Sequence, residues 1–264
     1  MARSTFFYHQ VLLNQPDKHA QLKEVISARF TEHKRRFGYR RIRMLLQAEG
    51  WVVSNKLVLK LMRQMGLKSK VRPRRRYSSY RGTVSHIAEN VLARDFEPDA
   101  PNMKWVSDVT EFQVAGTKVY LSPIMDLYDR SIISYAVSRS PSTALTAQSL
   151  SDALAAWTPD AGLLVHTDQG FQYQHTSWRN LIAGCAGVQS MSRKGNCYDN
   201  AVMENFFGHM KSEMFHGEHF ASVEDFLAEV EDYIDWYNTQ RVQQRLKALT
   251  PMQYRNQTLG AIPA

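Results

Sequence analysis

The sequence predicts an α/β domain, a mixed five-stranded sheet with flanking helices, preceded by a small all-α domain. Three observations predict it. Charge is divided: residues 1–81 carry 20 Lys/Arg against 4 Asp/Glu, a net of +16, and residues 82–264 carry 13 against 21, a net of −8. The hydrophobic pattern changes from helical spacing to strict alternation near residue 102. Beyond that point, strand-like and helix-like segments follow in a mixed order. A basic front joined to an acidic back implies two parts with different partners.

Composition excludes several classes. With 44% hydrophobic and 22% charged residues the chain is neither disordered nor a coiled coil. No stretch approaches the ~20 apolar residues of a membrane span. The first residues hold only the short apolar bursts Phe6–Tyr8 and Val11–Leu13, which do not make a secretory signal. The two cysteines, Cys185 and Cys197, form no CxxC pair, which argues against a zinc module and for a reducing cytoplasm.

The front reads as three helices. Residues 18–36 carry Leu22, Val25, Ile26 and Phe30 near helical spacing, and Gly38 breaks the run. Residues 41–49 place Ile42, Leu45 and Leu46 on one face, and Gly50 stops them. Ser54 is a suitable N-cap for residues 55–65, which Gly66 ends. There Leu57, Val58, Leu61 and Met65 form the buried stripe, while Lys56, Lys60 and Arg63 recur on another face. Two short helices joined by a Gly-containing turn suit a helix-turn-helix, and equally a small bundle with a solvated basic face. Residues 68–76 then hold six basic residues and a proline, an extended arm in which Arg72, Arg74, Arg75 and Arg76 would neutralise DNA phosphates.

The back begins with a strand over 104–112, alternating and rich in β-formers. A turn at 115–117 leads to a strand over 118–125, where Pro123 suggests an edge or a bulge. Strands follow at 131–137, 161–168 and 188–191, with helices at 142–157, 176–184, 200–215 and 222–237. This is the order of a ribonuclease H-like domain. The predicted division is a helix-turn-helix-like region at 1–67, a basic linker at 68–100, the catalytic core at 101–220 and a C-terminal helical extension at 221–264. The last long helix opens with Ser222-x-x-Asp225 and carries an apolar stripe, Phe226, Leu227, Val230, Ile234 and Tyr237, opposite an acidic face.

Three carboxylates stand out. Asp108 lies mid-strand in an apolar run, where a charge is costly unless compensated. Asp168 ends the 161–168 strand, a place that also suits an ordinary turn. Glu204 lies in the first turn of a helix, where the dipole favours an acid. Together they place two strand carboxylates and one helix carboxylate on elements that can converge. Three hard oxygen ligands suit Mg²⁺ or Mn²⁺, and two such ions can serve an in-line phosphoryl transfer.

Thirty-five residues separate Asp168 from Glu204, as in the D,D(35)E recombinases. The strings Trp105-Val-Ser-Asp-Val-Thr110, His166-Thr-Asp-Gln-Gly-Phe-Gln-Tyr173 and Ser190 to Ala201 resemble bacterial insertion-sequence transposases of family three, in particular their OrfB product. Phe37-Gly-Tyr-Arg-Arg-Ile42 and Thr250-Pro-Met-Gln-Tyr254 extend the resemblance over most of residues 37–255. It implies a DDE transposase with a retroviral integrase-like core. Such an enzyme cuts DNA at the terminal inverted repeats of its element and joins them to target DNA by transesterification. Asp108, Asp168 and Glu204 would bind two divalent ions, and no nucleotide cofactor is implied. It also implies a homo-oligomer on DNA and fusion or association with an upstream OrfA product.

The family carries a basic residue at the place of Lys211, two helical turns beyond Glu204 on the same face. Gly208, four residues beyond Glu204, would keep that face open for DNA. Arg193 and Lys194, in the segment before the helix, would hold phosphates, with Asp199 or Asn200 as its cap. Asp126 and Glu111 read as a strand-end turn and a surface face, although Asp126 matches a family position. The rival readings are a nuclease of the same fold, which lacks the 35-residue spacing, and a DNA-binding regulator, which leaves the three carboxylates unexplained.

Overall fold

The structure, a computed structural model, describes Arg3, Phe7 and residues 17–70, 87–157, 159, 162–193 and 197–261. Two compact units divide the chain at residue 70.

The first unit packs three helices, α1 (Ala20–Glu32), α2 (Tyr39–Ala48) and α3 (Asn55–Gln64). Leu22, Ile26 and Phe30 face Ile42 and Leu46 of α2 and Val58, Leu61 and Met62 of α3 in its core. The buried stripe of α3 therefore runs through Met62, whereas Leu57 and Met65 stay half-buried. The first helix stops short of the expected residue 36 because Lys34 and Arg35 adopt φ of 49° and 61°. Gly50 and Gly66 end α2 and α3 with φ of 89° and 68°, the left-handed conformation that favours glycine. Ser54 caps α3, its Oγ accepting the Leu57 N–H at 3.2 Å.

The second unit holds β1 (Lys104–Ser107), β2 (Thr110–Val114), β3 (Thr117–Asp126), β4 (Ile132–Ser138), α4 (Thr143–Ala156), β5 (Leu164–Thr167), α5 (Phe171–Gln174), α6 (Thr176–Gly184) and β6 (Val188–Met191). A 3₁₀ turn (Cys197–Asn200) leads into α7 (Ala201–Met210), a π turn (Lys211–Phe215), α8 (Val223–Thr239) and α9 (Pro251–Ala261). Across the sheet the order is β4, β3, β1 with β2, β5, β6. β1 runs parallel to β5, which runs parallel to β6; the remaining pairings are antiparallel.

The expected strand 104–112 is cut in two. Ser107 faces Ile124 and Thr110 faces Leu121, so the register is continuous and Asp108 stands opposite Pro123. Proline has no N–H for the ladder, and the pairing lapses there. Pro123 is not on an edge, since β3 is paired on both sides; the bulge lies one residue on, between Ile124 and Met125.

One face of the sheet buries Trp105, Ile124 and Val165 against Leu150, Ala153, Trp178 and Ile182 of α4 and α6. On the other face Phe112 meets Phe215 and Phe226 at ring-centroid distances of 5.0 and 4.9 Å. Ser222 and Asp225 close a reciprocal capping box on α8. Its acids Glu224, Asp225, Glu231, Asp232 and Asp235 are exposed as expected, but Leu227 joins them outside. Residues 87–100, assigned to the linker, pack on this unit: Leu92 is buried and its N–H reaches Ser190 Oγ at 3.0 Å. Among the described residues no helix is long and apolar enough to cross a membrane.

Candidate active site

Parallel pairing places the first two carboxylates. Val106 is level with His166, so two residues on Asp108 stands level with Asp168, each just past the end of its strand. Neighbouring strands lie ~4.8 Å apart. Trp105 and Val165 point into the core under α4 and α6, and the two-residue period turns Asp108 and Asp168 to the opposite face. Each carboxylate accepts one backbone N–H: Val109 to Asp108 Oδ1 at 2.7 Å, Gly170 to Asp168 Oδ1 at 2.9 Å. Below them Tyr173 is buried, its hydroxyl 3.3 Å from Ser107 Oγ.

Glu204 enters from the first turn of α7. Burial, then the charge of Asp168 and that of Glu204, push Asp108 well above the usual carboxylate range, against the Val109 N–H and the charge of Lys211. Burial raises Asp168 as well, against the Gly170 N–H. The electrostatics thus join Asp108 to Asp168, Glu204 and Lys211. All four side chains remain partly accessible. Among the described residues no three acidic, His or Cys side chains are gathered tightly enough to form a ready-made metal cage. The donor set still suits a hard divalent ion: carboxylate oxygens only, crowded so that their negative charge is costly without a cation.

Lys211 ends α7, with Nζ 5.0 Å from the centroid of Phe112. The expected helix 200–215 changes to a π turn there. Glu213 explains the change: buried within the turn, it takes Arg241 Nη2 at 2.8 Å, Arg241 Nε at 3.0 Å and the Tyr233 hydroxyl at 2.8 Å. These bonds hold the turn, and so Lys211, on α8. Widened turns of this kind recur at functional sites.

Comparison with known proteins agrees with this fold. Two integrase core domain families match residues 98–197 and 204–259, and an HTH-like domain family matches residues 17–76. The transposase InsK for insertion sequence element IS150 of Escherichia coli K12 is 45% identical over 97% of this chain and 90% of its own length. The chain belongs to the insertion-sequence transposases. The transposase InsF for IS3A, from the same organism, is 35% identical over 89% of this chain and 82% of its own. A simian T-cell lymphotropic virus intasome structure shares the fold, with TM-score 0.51 and 16% identity over 80% of this chain and 69% of that one. The transposase is therefore a polynucleotidyl transferase with an integrase-type, ribonuclease H-like core.

The other site residues expected from the sequence fare differently. Lys56, Lys60 and Arg63 are exposed along α3, around a groove of about 520 Å³ floored by Leu57 and Leu59. Arg72, Arg74, Arg75, Arg76 and Lys194 lie outside the described residues. Arg193 is held in place by Asp199 through two bonds of 2.9 Å, with its side chain still exposed. Asp199 does not cap α7, because its carboxylate is consumed by that pairing; Asn200 occupies the cap position with no side-chain hydrogen bond to the helix. Glu111 is at the surface, paired with Lys118 at 3.1 Å.

Asp126 is fully buried, and so is Asp129. Arg255 of α9, itself buried, bonds to both: Nη2 to Asp126 and Nε to Asp129 at 2.6 Å, with its guanidinium carbon 4.5 Å from the Trp157 ring centroid. Asp126 is level with Trp105, three residues back from Asp108 along the sheet, about 10 Å. It anchors the C-terminal helix and does not join the carboxylate group. Nothing local in the sequence marks Arg255, whose partners lie far back in the chain.

Proposed function

We propose that Asp108, Asp168 and Glu204 are the catalytic carboxylates of this transposase and hold two divalent ions, Mg²⁺ or Mn²⁺. The parallel register that sets Asp108 beside Asp168, with Glu204 in electrostatic reach, carries the proposal. When bound, the ions supply charge stabilisation for phosphodiester attack and departure. The chain's residues do the rest. The strand ends fix the two aspartates, the Val109 and Gly170 N–H groups orient them, and Lys211 supplies a positive charge on the DNA side of Glu204. A water, or a DNA 3′-OH, attacks phosphorus and gives up its proton to solvent; the P–O3′ bond breaks, and the leaving 3′-oxygen takes up a proton from solvent to become a 3′-OH.

The DNA is the terminal inverted repeats and the target, gripped by Lys56, Lys60 and Arg63 of α3 and by the 68–76 arm. A homo-oligomer on DNA, with an OrfA product fused or associated, completes this reading, and the work is done in the bacterial cytoplasm. The test incubates the full chain, labelled element ends and Mg²⁺. Joined strands support the proposal. Cuts without joining favour a nuclease, and a mobility shift without cutting favours a regulator.

A further inference from the structure

A second charged cluster flanks the carboxylates. Asp199 is fully buried just ahead of α7, and five hydrogen bonds converge on its carboxylate. Asn90 Nδ2 and Arg94 Nε donate at 2.9 Å, the Arg193 backbone N–H at 3.0 Å, and Arg193 Nε and Nη2 at 2.9 Å. One acid thus holds two guanidiniums, and the cluster keeps a net positive charge. A purely structural clamp on a buried carboxylate needs only one.

Both arginines remain open to solvent, with side chains 45% and 59% exposed. An arginine presents five N–H donors in a rigid fork. Asp199 takes one from the Arg94 side chain and two from that of Arg193; the others have no protein acceptor among the described residues. The Arg94 guanidinium lies 5.6 Å from the centroid of the Tyr198 ring, which is 68% exposed. Ala93 and Arg94 take φ of 47° and 66°, so consecutive left-handed residues turn this segment toward Asp199. The place is also telling. Arg193 follows Ser192, whose N–H reaches the carbonyl beside Asp168 at 2.9 Å, and Asp199 precedes Glu204 by five residues.

We propose that Arg94, Arg193 and Tyr198 form a DNA contact site beside the scissile phosphate, the guanidiniums on one backbone phosphate and the ring against a neighbouring base or sugar. Asp199 is its positioning residue: it fixes both forks in one orientation without neutralising them. Bidentate arginine suits phosphate, and an exposed ring beside it accepts any base without reading sequence. The proposal rests on the carboxylates being the catalytic site and assigns the strand's path next to it.

The test uses the full chain and a short fluorescein-labelled duplex of arbitrary sequence, with binding followed by anisotropy across a salt series. Arg94→Gln should reduce the slope of log affinity against log salt by about 1 with wild-type melting. Tyr198→Ala should weaken binding by about 5- to 100-fold, and Tyr198→Phe should restore it. Because Tyr198 is exposed, its variants decide the matter if Arg94→Gln does not fold. Wild-type affinity and slope in the folded variants would overturn the site. So would a fall in melting with an unchanged slope, which marks a clamp and nothing more. Failure of the catalytic reading is seen separately, as joining by Asp108→Asn at the wild-type rate, while the salt slope still decides this site.

Discussion

Asp108 and Asp168 stand past one end of β1 and β5, and Asp126 and Asp129 lie toward the other end of the same sheet. Asp126 and Asp129 are fully buried and Asp108 and Asp168 partly so, yet the protein treats the two pairs in opposite ways. Asp126 and Asp129 share the buried guanidinium of Arg255 and also accept the N–H groups of Asn102, Tyr128 and Ser131. Asp108 and Asp168 receive one backbone N–H each and form no ion pair with a described side chain. A buried acid that serves the fold is given an internal cation. In the proposed reading, the pair left crowded would meet its cation from outside, at some cost to stability.

Removing one member of each pair tests this contrast, and Asp108→Asn should have the largest effect. Joining of labelled element ends should fall roughly 10³-fold or more, with DNA binding kept and the melting temperature equal to wild type or higher. A clear drop in melting would mean that Asp108 serves the fold. Arg255→Ala should do the reverse. Breaking a buried pair costs about 3–5 kcal/mol, or roughly 6–20 °C of melting temperature for a unit of this size. Joining per folded molecule at a permissive temperature should change little, and calorimetry beside the joining assay separates the two quantities.

Gly208→Leu sharpens the boundary on the catalytic side. Replacing a mid-helix glycine gains up to ~1 kcal/mol of helix propensity, so melting should hold or rise while joining falls. Unchanged melting with unchanged joining would show that the α7 face between Glu204 and Lys211 need not stay clear. The smallest effect concerns pH. The Arg193 and Arg94 contacts hold Asp199 well below the usual carboxylate range. Its contribution to stability is therefore full above the ordinary aspartate pKa and is lost as pH falls through the lower folded value. From about pH 5 to about pH 3 wild type should lose more melting temperature than Asp199→Asn; parallel declines would remove Asp199 as a source of acid sensitivity.

Most of the sheet could be read from local pattern, because alternation and helical spacing are local. The order of the elements predicts that Asp108 and Asp168 converge, although Asp108 is expected mid-strand and lies just past the end of β1. What the pattern hid was pairing at a distance. Pro123 suggests an edge or a bulge; the bulge is present one residue on, whereas the edge is not, because a sequence does not show which strands lie on either side. Asp199 or Asn200 reads as the cap, whereas Asp199 pairs with Arg193, six positions back, and with Arg94, 105 positions back. The helix expected over 200–215 gives no sign that Glu213 turns inward to Arg241 and Tyr233 and widens the turn. Arg255 carried no signal at all, since its role exists only once β3 and α9 have met.

That last contact bears on the order in which the protein is made. Arg255 joins an aspartate 129 positions earlier in the chain. While synthesis proceeds from the N-terminus, β3 and the turn after it are complete long before their counter-ion exists. The ion pairs that hold β3 to α9 can therefore form only after the chain has grown through residue 255.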